Sequence, residues 1–512
     1  MKGALMVCGT ASDVGKSHVV TALCRVLARR GVRVAPFKAQ NMALNSFVTA
    51  SGHEIGRAQA VQAWAANVEP EVGMNPILLK PTGERTSQVV VMGRPAGHLD
   101  AVAYQAAKPR LRATVLEALA DLRGRFDVVL LEGAGSAAEV NLLAEDIVNL
   151  RLAAAAKIPA MVVGDIDRGG VFAALYGTVA LLPDDLRPLV RAFVINKLRG
   201  DPALLGNGLV ELERRCGVPT LGVLPWIHDV ALDAEDSLAL AGRRPAAVEP
   251  PLAATLDVAA VRLPRIANFT DLDALSTEPG VGVRLVEHAS ALGDPDLLVL
   301  PGTKATVADL EWLRGRGLDR AMADARKRGT VTVGICGGYQ MLGQLIVDGV
   351  ESGRGRVAGL GWLDAITVFR AAKLTRQRRG RAMGLSVRSG TQPRVTGYEI
   401  HHGRVTRGAE ARPWLRLDDT YGIEDEGAVD PAADREGVGA VFASSLHGLF
   451  EEDGFRGAFL ADVARRRGKE FVPAGRSFAQ ARERQIDCLA DMVDAHLDMA
   501  AVDALIKEGA LS

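Results

Sequence analysis

Short, uniformly apolar segments alternate with helical patterns along the first half of the chain. The apolar segments read ALMVCG, VRVAPFK, FDVVLLEG, IPAMVVGDI, VRAFVINK and PTLGVLP. Consecutive apolar side chains, rather than alternating ones, are expected in strands that are buried on both faces. Helical patterns separate these segments, including residues 17–30 and a long region between the second and third segments. The arrangement predicts a doubly wound parallel sheet with right-handed crossovers.

The same alternation restarts in the second half of the chain. A segment rich in Pro and Ala without periodicity is typical of a linker, which we place at residues 241–254. The strand-like segments LDVAAVRLP, DLLVLPG and TVTVGICGG follow it. We therefore expect an α/β protein with two doubly wound domains, at residues 1–240 and 255–455, and a helical tail at residues 456–512.

Composition and charge fit this architecture and narrow the possible partners. The 512 residues are 48% hydrophobic but only 4% aromatic and include 55 glycines, which suits domains built on buried parallel strands. Lys plus Arg and Asp plus Glu both number 61, so no net field favours nucleic acid or an anionic membrane. Small-molecule substrates are therefore expected.

The chain carries no pattern typical of secretion or of a membrane span. Its N-terminus lacks a signal-peptide pattern, and no apolar run approaches the roughly 18 residues needed to cross a bilayer. We expect a cytoplasmic protein. The five cysteines are scattered, which argues against a disulfide framework or a CxxC metal site. Each cysteine is either a core residue or a reactive thiol.

A glycine-rich segment, GTASDVGKS, lies between the first apolar strand and the first helix. Glycines such as Gly9 and Gly15 let backbone N–H groups converge on phosphate oxygens, and Thr10 belongs to the same loop. Lys16 can reach the β- and γ-phosphates, and the Ser17 hydroxyl can ligate Mg²⁺. Five residues separate the glycines where the common pattern has four, so we predict a variant phosphate-binding loop for ATP.

Further polar residues follow other strands and are expected at the same edge of the sheet, where ligands of open α/β sheets bind. Glu132 ends the segment FDVVLLE and is a candidate Mg²⁺ ligand, while Lys38 could hold an anionic group of a substrate. Asn196 resembles the base-reading Asn of some P-loop proteins and is a candidate ATP contact. Glu54 and Asp165 are further carboxylates that could approach the metal. For each residue a surface or structural role stays open.

A cysteine lies between a predicted strand and a predicted helix in TVTVGICGGYQMLG. A sharp turn would expose the thiol of Cys336, the helix N-terminus would favour the thiolate, and the Gly337 N–H could form half of an oxyanion hole. The best candidate for the base is His447, at the end of the apolar segment VFASSLH. His401 and His402 are the other contenders, with a structural or substrate-facing role as the alternative.

Taken together, these motifs resemble the cobyric acid synthase family of cobalamin biosynthesis, which fuses a dethiobiotin-synthetase-like ATPase domain to a Cys-dependent, class I glutamine amidotransferase domain. The resemblance covers nearly the whole chain. The segments that carry it are GTASDVGKS, PFKAQNMALNS, GHEIGRAQ, LLEGAGS, INKLRGD, RIANFTDLDAL, LPGTKATVADL, GICGGYQMLG, GYEIHHG and SSLHGLF.

The resemblance implies roles for individual residues of the second domain. Cys336 would attack the side-chain amide of glutamine, and His447 would act as general base and acid. Gly337 and the turn at Gly302 would stabilise the oxyanion, and Gln340 would help to hold the glutamine. The released ammonia would pass to the first domain.

The resemblance also implies the reaction of the first domain. ATP, with Mg²⁺, would phosphorylate a carboxylate of the corrinoid adenosylcobyrinic acid a,c-diamide, and ammonia would displace the phosphate. The b, d, e and g carboxylates would be amidated in turn. The implied partners are three small molecules: the corrinoid, ATP and glutamine.

One position departs from the usual class I pattern. Class I amidotransferases typically carry Glu two residues after the histidine, whereas this chain has Leu449. The site is then either a Cys–His pair or a triad completed by Glu451 or Glu452. We leave the third member unassigned.

Two other functions compete with this one. The sister cobyrinic acid a,c-diamide synthases share both domain types. The sequences of the motifs GYEIHHG and PFKAQN and the chain length favour the cobyric acid enzymes. A P-loop switch ATPase of the partition type, carrying an inactive amidotransferase-like module, is the alternative from a different class. The presence of both Cys336 and His447 argues against it.

Overall fold

The computed structural model describes residues 1–83, 85–227, 256–385, 391–419, 422–430 and 437–510. The linker predicted at residues 241–254 lies outside this part of the chain. The described residues form two compact units. Residues 1–43, 55–227 and 482–510 make up the first unit, and residues 44–54 and 256–481 make up the second.

The strands are numbered along the chain. They are β1 Gly3–Gly9, β2 Val34–Phe37, β3 Gln40–Met42, β4 Ser46–Val48, β5 Glu54–Gly56, β6 Ile77–Pro81, β7 Thr86–Val91, β8 Arg94–Asp100, β9 Val128–Glu132, β10 Ala160–Asp165, β11 Val190–Leu198, β12 Thr220–Pro225, β13 Leu256–Val261, β14 Val281–Val286, β15 Leu297–Leu300, β16 Val331–Ile335, β17 Leu345–Asp348, β18 Gly355–Ala358, β19 Ala365–Ala382, β20 Arg394–Arg407, β21 Leu415–Asp419, β22 Gly422–Glu426, β23 Ala428–Val429 and β24 Val441–Ser444.

The helices are numbered in the same way. They are α1 Lys16–Arg29, α2 Arg57–Ala65, α3 Ala101–Arg125, α4 Leu150–Ala156, α5 Val171–Leu181, α6 Gly206–Cys216, α7 Thr270–Ser276, α8 Thr306–Gly315, α9 Leu318–Lys327, α10 Gly337–Leu342, α11 Asp453–Arg466, α12 Phe478–His496 and α13 Met499–Glu508. Among the described residues, none of these helices combines the length and apolar character that crossing a membrane requires.

The six apolar segments of the first half form one parallel sheet in the order β12-β11-β10-β1-β9-β2. Five of its strands are buried along nearly their whole length, and the edge strand β12 is half-buried. Apolar clusters cover both faces, so the doubly wound fold is confirmed. Val7 pairs with Glu132, and Asp165 pairs with Asn196. The predicted polar residues that end these strands therefore lie along the same edge as the loop that follows β1.

The region between β2 and β9 is only partly helical, so the prediction of one long helical region was wrong. It contains α2 and α3, but also a four-stranded sheet in the order β3-β6-β7-β8. Met92 and Gly93 connect β7 to β8, and both have positive φ, as in two-residue hairpin turns. The β8 strand is largely exposed and has no apolar pattern, which removes the sequence signal for a strand.

The second unit contains a sheet in the order β14-β13-β15-β16-β24-β23, parallel except for β23. The predicted second α/β domain is thereby confirmed. A further sheet in the order β18-β17-β19-β21-β22, with β20 paired to β19, was not predicted. The strand β16 leads through Cys336 directly into α10, as expected from the sequence.

The grouping of residues differs from the predicted domain limits at two places. Residues 44–54 belong to the second unit, where Val48 and Phe47 pack against Tyr398 and Ile400. The expected C-terminal tail is divided: α11 packs in the core of the second unit, whereas α12 from residue 482 onward and α13 bury their apolar faces in the core of the first unit.

Candidate active sites

Cys336 occupies a strained turn at the carboxyl end of β16. Its φ of 49° and ψ of −104° are sparsely populated by residues other than glycine, and such strain persists only where surrounding contacts enforce it. The Cys336 N–H donates to the carbonyl of Ser444 on β24 at 2.8 Å. Gly338 must be glycine, because an added Cβ would lie 1.9 Å from the Leu300 carbonyl oxygen. The turn holds the buried thiol at the N-terminus of α10.

His447 follows β24, the strand that pairs with β16. Ile335 pairs with Ser444, so the nucleophile and the histidine emerge from neighbouring strand ends. The Nδ1 atom of His447 lies 2.8 Å from Oδ2 of Asp271, and the Gly448 N–H donates to Oδ1 of the same carboxylate at 2.6 Å. This pair leaves Nε2 for the nucleophile, and all of these groups are buried.

The electrostatics of this group favour a charged histidine. Burial opposes protonation of His447, but Asp271 and Cys336, both hydrogen-bonded to the ring, raise its pKa to about 10. An imidazolium beside a thiolate is the state that activates a cysteine nucleophile. The predicted Cys336 and His447 are thus brought together.

Asp271, the carboxylate partner of His447, was not predicted from the sequence. It lies in the first turn of α7, within the quoted segment RIANFTDLDAL, but 176 residues before His447. Leu449 is instead buried in the apolar core. Of the two glutamates considered for this role, Glu452 accepts a hydrogen bond from Thr396 at 2.9 Å.

The predicted oxyanion and glutamine-binding residues surround the Cys336 turn. An added Cβ on Gly302 would lie 2.5 Å from Cε1 of His447, and one on Gly337 would lie 2.7 Å from Cγ2 of Thr303. The Gln340 side chain is buried and its Oε1 accepts from the Thr306 hydroxyl at 2.9 Å. Close packing explains the two glycines, while their roles and that of Gln340 stay predictions.

The phosphate-binding loop of the first unit is held in shape by its own residues and by Asn196. Gly15 has a φ of 99°, and an added Cβ there would lie 2.1 Å from Nδ2 of Asn196. That nitrogen donates to the Val14 carbonyl at 2.9 Å. The Lys16 ammonium donates to the carbonyls of Ala11 at 2.8 Å and Gly135 at 3.0 Å. Asn196 therefore braces the loop from the end of β11.

The Glu132 carboxylate accepts hydrogen bonds from three side chains. Its Oε1 accepts from the Ser17 hydroxyl at 2.7 Å and from Lys38 at 2.9 Å, and its Oε2 accepts from Gln62 at 2.5 Å. Burial alone would raise the pKa of Glu132, but the Lys38 charge and these hydrogen bonds hold it below its ordinary value. An ionised carboxylate and a hydroxyl 2.7 Å apart form a suitable oxygen donor set for Mg²⁺.

The two other candidate metal residues have different partners. Glu54 belongs to the second unit, where its buried carboxylate accepts from Ser46 at 2.8 Å and pairs with Lys373. These partners account for the charge of the Glu54 carboxylate, so it is not proposed as a metal ligand. Asp165 pairs with Lys197 at 2.7 Å. Within the described ranges, no cluster of three or more His, Cys, Asp or Glu residues could form a metal cage.

Comparisons with known proteins cover both units and the whole chain. Residues 5–239 match the CobQ/CobB/MinD/ParA nucleotide binding domain, and residues 257–455 match the CobB/CobQ-like glutamine amidotransferase domain. Cobyric acid synthase from Frankia casuarinae is 52% identical, over 99% of this chain and 98% of its own length. Those from Rhodococcus jostii and Nocardia farcinica are 53% and 52% identical, over 99% and 100% of this chain and 96% and 98% of their own lengths. The chain belongs to the cobyric acid synthase family.

Proposed function

We propose that this protein uses ATP and glutamine to amidate the b, d, e and g carboxylates of adenosylcobyrinic acid a,c-diamide, giving adenosylcobyric acid. Family membership supports a glutamine-dependent ligase of cobalamin biosynthesis and does not favour the diamide synthase alternative. The observation that carries the chemistry is Cys336 beside the buried His447–Asp271 pair. An intact nucleophile of this kind argues against an inactive amidotransferase module.

In the glutaminase reaction, the Cys336 thiolate attacks the side-chain amide carbon of glutamine, and the new C–S bond gives a tetrahedral oxyanion. The Gly337 N–H and the turn at Gly302 stabilise that oxyanion. The His447 imidazolium protonates the departing nitrogen, so ammonia leaves and a glutamyl thioester remains. His447 then takes a proton from water, which attacks the thioester and releases glutamate and the thiolate. Asp271 holds the ring in the orientation that both steps require.

In the synthetase reaction, a substrate carboxylate oxygen attacks the γ-phosphorus of ATP, forming an acyl phosphate and releasing ADP. Ammonia then attacks the acyl carbon, the C–N bond forms and phosphate leaves. The loop N–H groups and Lys16 bind the phosphates. Ser17 and Glu132 would hold Mg²⁺, which when bound supplies positive charge to the phosphate oxygens. Lys38, buried beside Glu132, is the proposed contact for the substrate carboxylate.

Replacing Cys336 tests the separation of the two chemistries. Cys336→Ala should abolish glutamine-dependent amidation, since no thioester can form, while added ammonium still supports amidation because the ATP site is unchanged. The measurement is product formation with each nitrogen source by mass spectrometry. Loss of both activities in a folded variant would overturn the two-site proposal.

Lys16→Ala tests the ATP site, as Cys336→Ala tests the glutaminase site. It should abolish product formation with glutamine and with ammonium, because the phosphates lose their side-chain cation, whereas glutaminase turnover persists in part. Undiminished ammonium-driven amidation in this variant would show that the glycine-rich loop is not the ATP site.

A further inference from the structure

The turn that follows β15 lies against the catalytic residues of the second unit. It comprises residues 302–304 and is named here the oxyanion turn. An added Cβ on Gly302 would lie 2.5 Å from Cε1 of His447, and one on Gly337 would lie 2.9 Å from the Thr303 backbone nitrogen. Oxyanion donors must be held within about 0.5 Å of their productive positions, so the contacts that fix this turn affect the rate.

Backbone hydrogen bonds join the oxyanion turn to residues 265–267. The Ala267 N–H donates to the Gly302 carbonyl at 2.9 Å, and the Lys304 N–H donates to the Arg265 carbonyl at 3.0 Å. An antiparallel bridge lies between these two bonds. The oxyanion turn is therefore one side of a short two-stranded pairing.

The Asp309 side chain connects the two sides of this pairing. Its Oδ2 atom accepts from the Thr303 hydroxyl at 2.5 Å and from the Arg265 N–H at 3.1 Å. The same hydroxyl lies 3.0 Å from the Arg265 carbonyl oxygen and accepts from the Ala305 N–H at 3.0 Å. One carboxylate oxygen thus fixes both the oxyanion turn and the segment that pairs with it.

The partners of Asp309 differ from those of an ordinary helix-terminal acid. Asp309 lies in the first turn of α8, where a carboxylate commonly binds the free N–H groups of its own helix. Instead it is almost fully buried and binds Thr303 and Arg265. Burial raises the pKa of Asp309 to about 6, although its two hydrogen bonds oppose the shift. The fold therefore keeps a carboxylate where burial is costly, as is common at functional sites.

We propose that Asp309 is a positioning residue of the glutaminase reaction, which holds the oxyanion turn at the distance from Gly337 that stabilises the tetrahedral intermediate. The proposal rests on the function proposed above and deepens it, since it adds a residue to the Cys336 site. Asp309 acts only through Thr303, because its carboxylate is buried and bonded to the Thr303 hydroxyl. All of these residues belong to the second unit.

Asp309→Leu tests the proposal, because it removes both acceptor bonds and keeps the γ-branched shape of the side chain. Glutaminase kcat should fall by at least about tenfold, since removal of a single oxyanion donor costs about 10²–10³-fold. The KM for glutamine should stay within about twofold, because the turn stabilises the oxyanion rather than the bound amide. Asp309→Asn should recover most of the lost kcat, since its Oδ1 can accept from the same two donors.

Thr303→Val is a second variant, which leaves Asp309 in place. It keeps the β-branched shape and removes the hydroxyl that joins Asp309 to the turn, so glutaminase kcat should also fall by at least about tenfold. Thr303→Ser keeps that hydroxyl and should recover most of the loss. Glu311→Leu, at an exposed position of α8, is the matched control and should keep the parent kcat.

A further measurement separates the oxyanion turn from the nucleophile. Alkylation of Cys336 by iodoacetamide, followed on its own peptide by mass spectrometry, requires the thiolate but forms no oxyanion. Its rate in Asp309→Leu and Thr303→Val should stay within about twofold of the parent rate, while kcat falls. A merely structural role would change both rates together.

Three results would overturn the proposal. They are a parent-like glutaminase kcat in both Asp309→Leu and Thr303→Val, an equal loss of kcat in Asp309→Leu and Asp309→Asn, and a fall in the alkylation rate that parallels the fall in kcat. Failure of the proposed function would give a different result, because the parent protein itself would then hydrolyse no glutamine and the corrinoid would gain no amide.

Discussion

Asp271 provides a carboxylate beside His447 in a chain that lacks the Glu typically found two residues after the histidine in class I amidotransferases. The position two residues after the histidine holds Leu449, which packs in the apolar core. The carboxylate comes instead from the first turn of α7 and also accepts the Gly448 N–H. That second bond fixes the backbone next to His447 as well as its ring. The acid is thus placed by the fold rather than by local spacing.

Asp271→Asn tests this assignment. The amide keeps the size of the side chain but removes the charge that holds the imidazolium, so the pKa of His447 should fall from about 10. Glutaminase kcat should drop by about 10²–10⁴-fold, the range for general acid–base catalysis, while ammonium-driven amidation stays. The pH profile of Cys336 alkylation should show its high-pH transition at a lower pH than in the parent. An unchanged profile would mean that Asp271 does not set the charge of His447.

Glu426 is a second buried acid near the site, and its role is structural. Its carboxylate accepts from the Ser445 N–H and from the Ser444 hydroxyl, both at 2.7 Å, in the segment that leads to His447. Burial raises the pKa of Glu426 to about 7, although these hydrogen bonds oppose the shift. The folded protein therefore binds a proton that the unfolded chain releases at lower pH.

Because the folded and unfolded states bind different numbers of protons at Glu426, the stability of the protein depends on pH. Between the ordinary pKa of a glutamate and about pH 7, the folded state holds more protons, so the Glu426 contribution to stability falls as pH rises, by on the order of 3 kcal/mol in all. Glu426→Gln removes this contribution. The Tm of the variant minus that of the parent should increase from pH 5 to pH 8, above a constant offset for the lost acceptor. Glu139→Gln, at an exposed position, is the control; a flat difference for Glu426→Gln would contradict the assignment.

Among the secondary-structure elements, the sequence best predicts the strands that are buried and parallel. Five strands of the first sheet, and β13, β15 and β16 of the second unit, are apolar runs with buried clusters on both faces, whereas β12 is half-buried. Strands such as β8 and β19 have exposed stretches in which polar, charged and apolar side chains are mixed, so no periodic signal identifies them. Their pairing depends on turns and partners far along the chain, which a local pattern does not contain.

The candidate sites follow the same rule. Cys336 and the phosphate-binding loop could be predicted because a strand, a turn and a helix lie consecutively in the sequence. Asp271 could not, since its proximity to His447 depends on packing between segments 176 residues apart. Glu54 was named only as a further carboxylate that could approach the metal. Its carboxylate pairs with Lys373, 319 residues further along the chain, and a local pattern does not contain that contact.

At the scale of the whole molecule, the chain interleaves two units that each carry part of one reaction. It leaves the first unit at residue 44, returns at residue 55, and comes back again at residue 482 after the second unit is complete. Each unit holds its own buried core, so the two chemistries can be impaired separately by single substitutions. Only a product that requires both units, the amidated corrinoid, reports on the whole reaction.

The most direct test counts the nitrogen atoms that reach the corrinoid. The parent protein is incubated with adenosylcobyrinic acid a,c-diamide, ATP, Mg²⁺ and glutamine labelled with ¹⁵N in its side-chain amide, and the product is analysed by mass spectrometry. We expect a final product with four labelled amides from the parent protein and no label from the Cys336→Ala variant. A diamide that gains no labelled amides, or a parallel incubation with cobyrinic acid in which the protein adds two amides and stops, would contradict the proposed function.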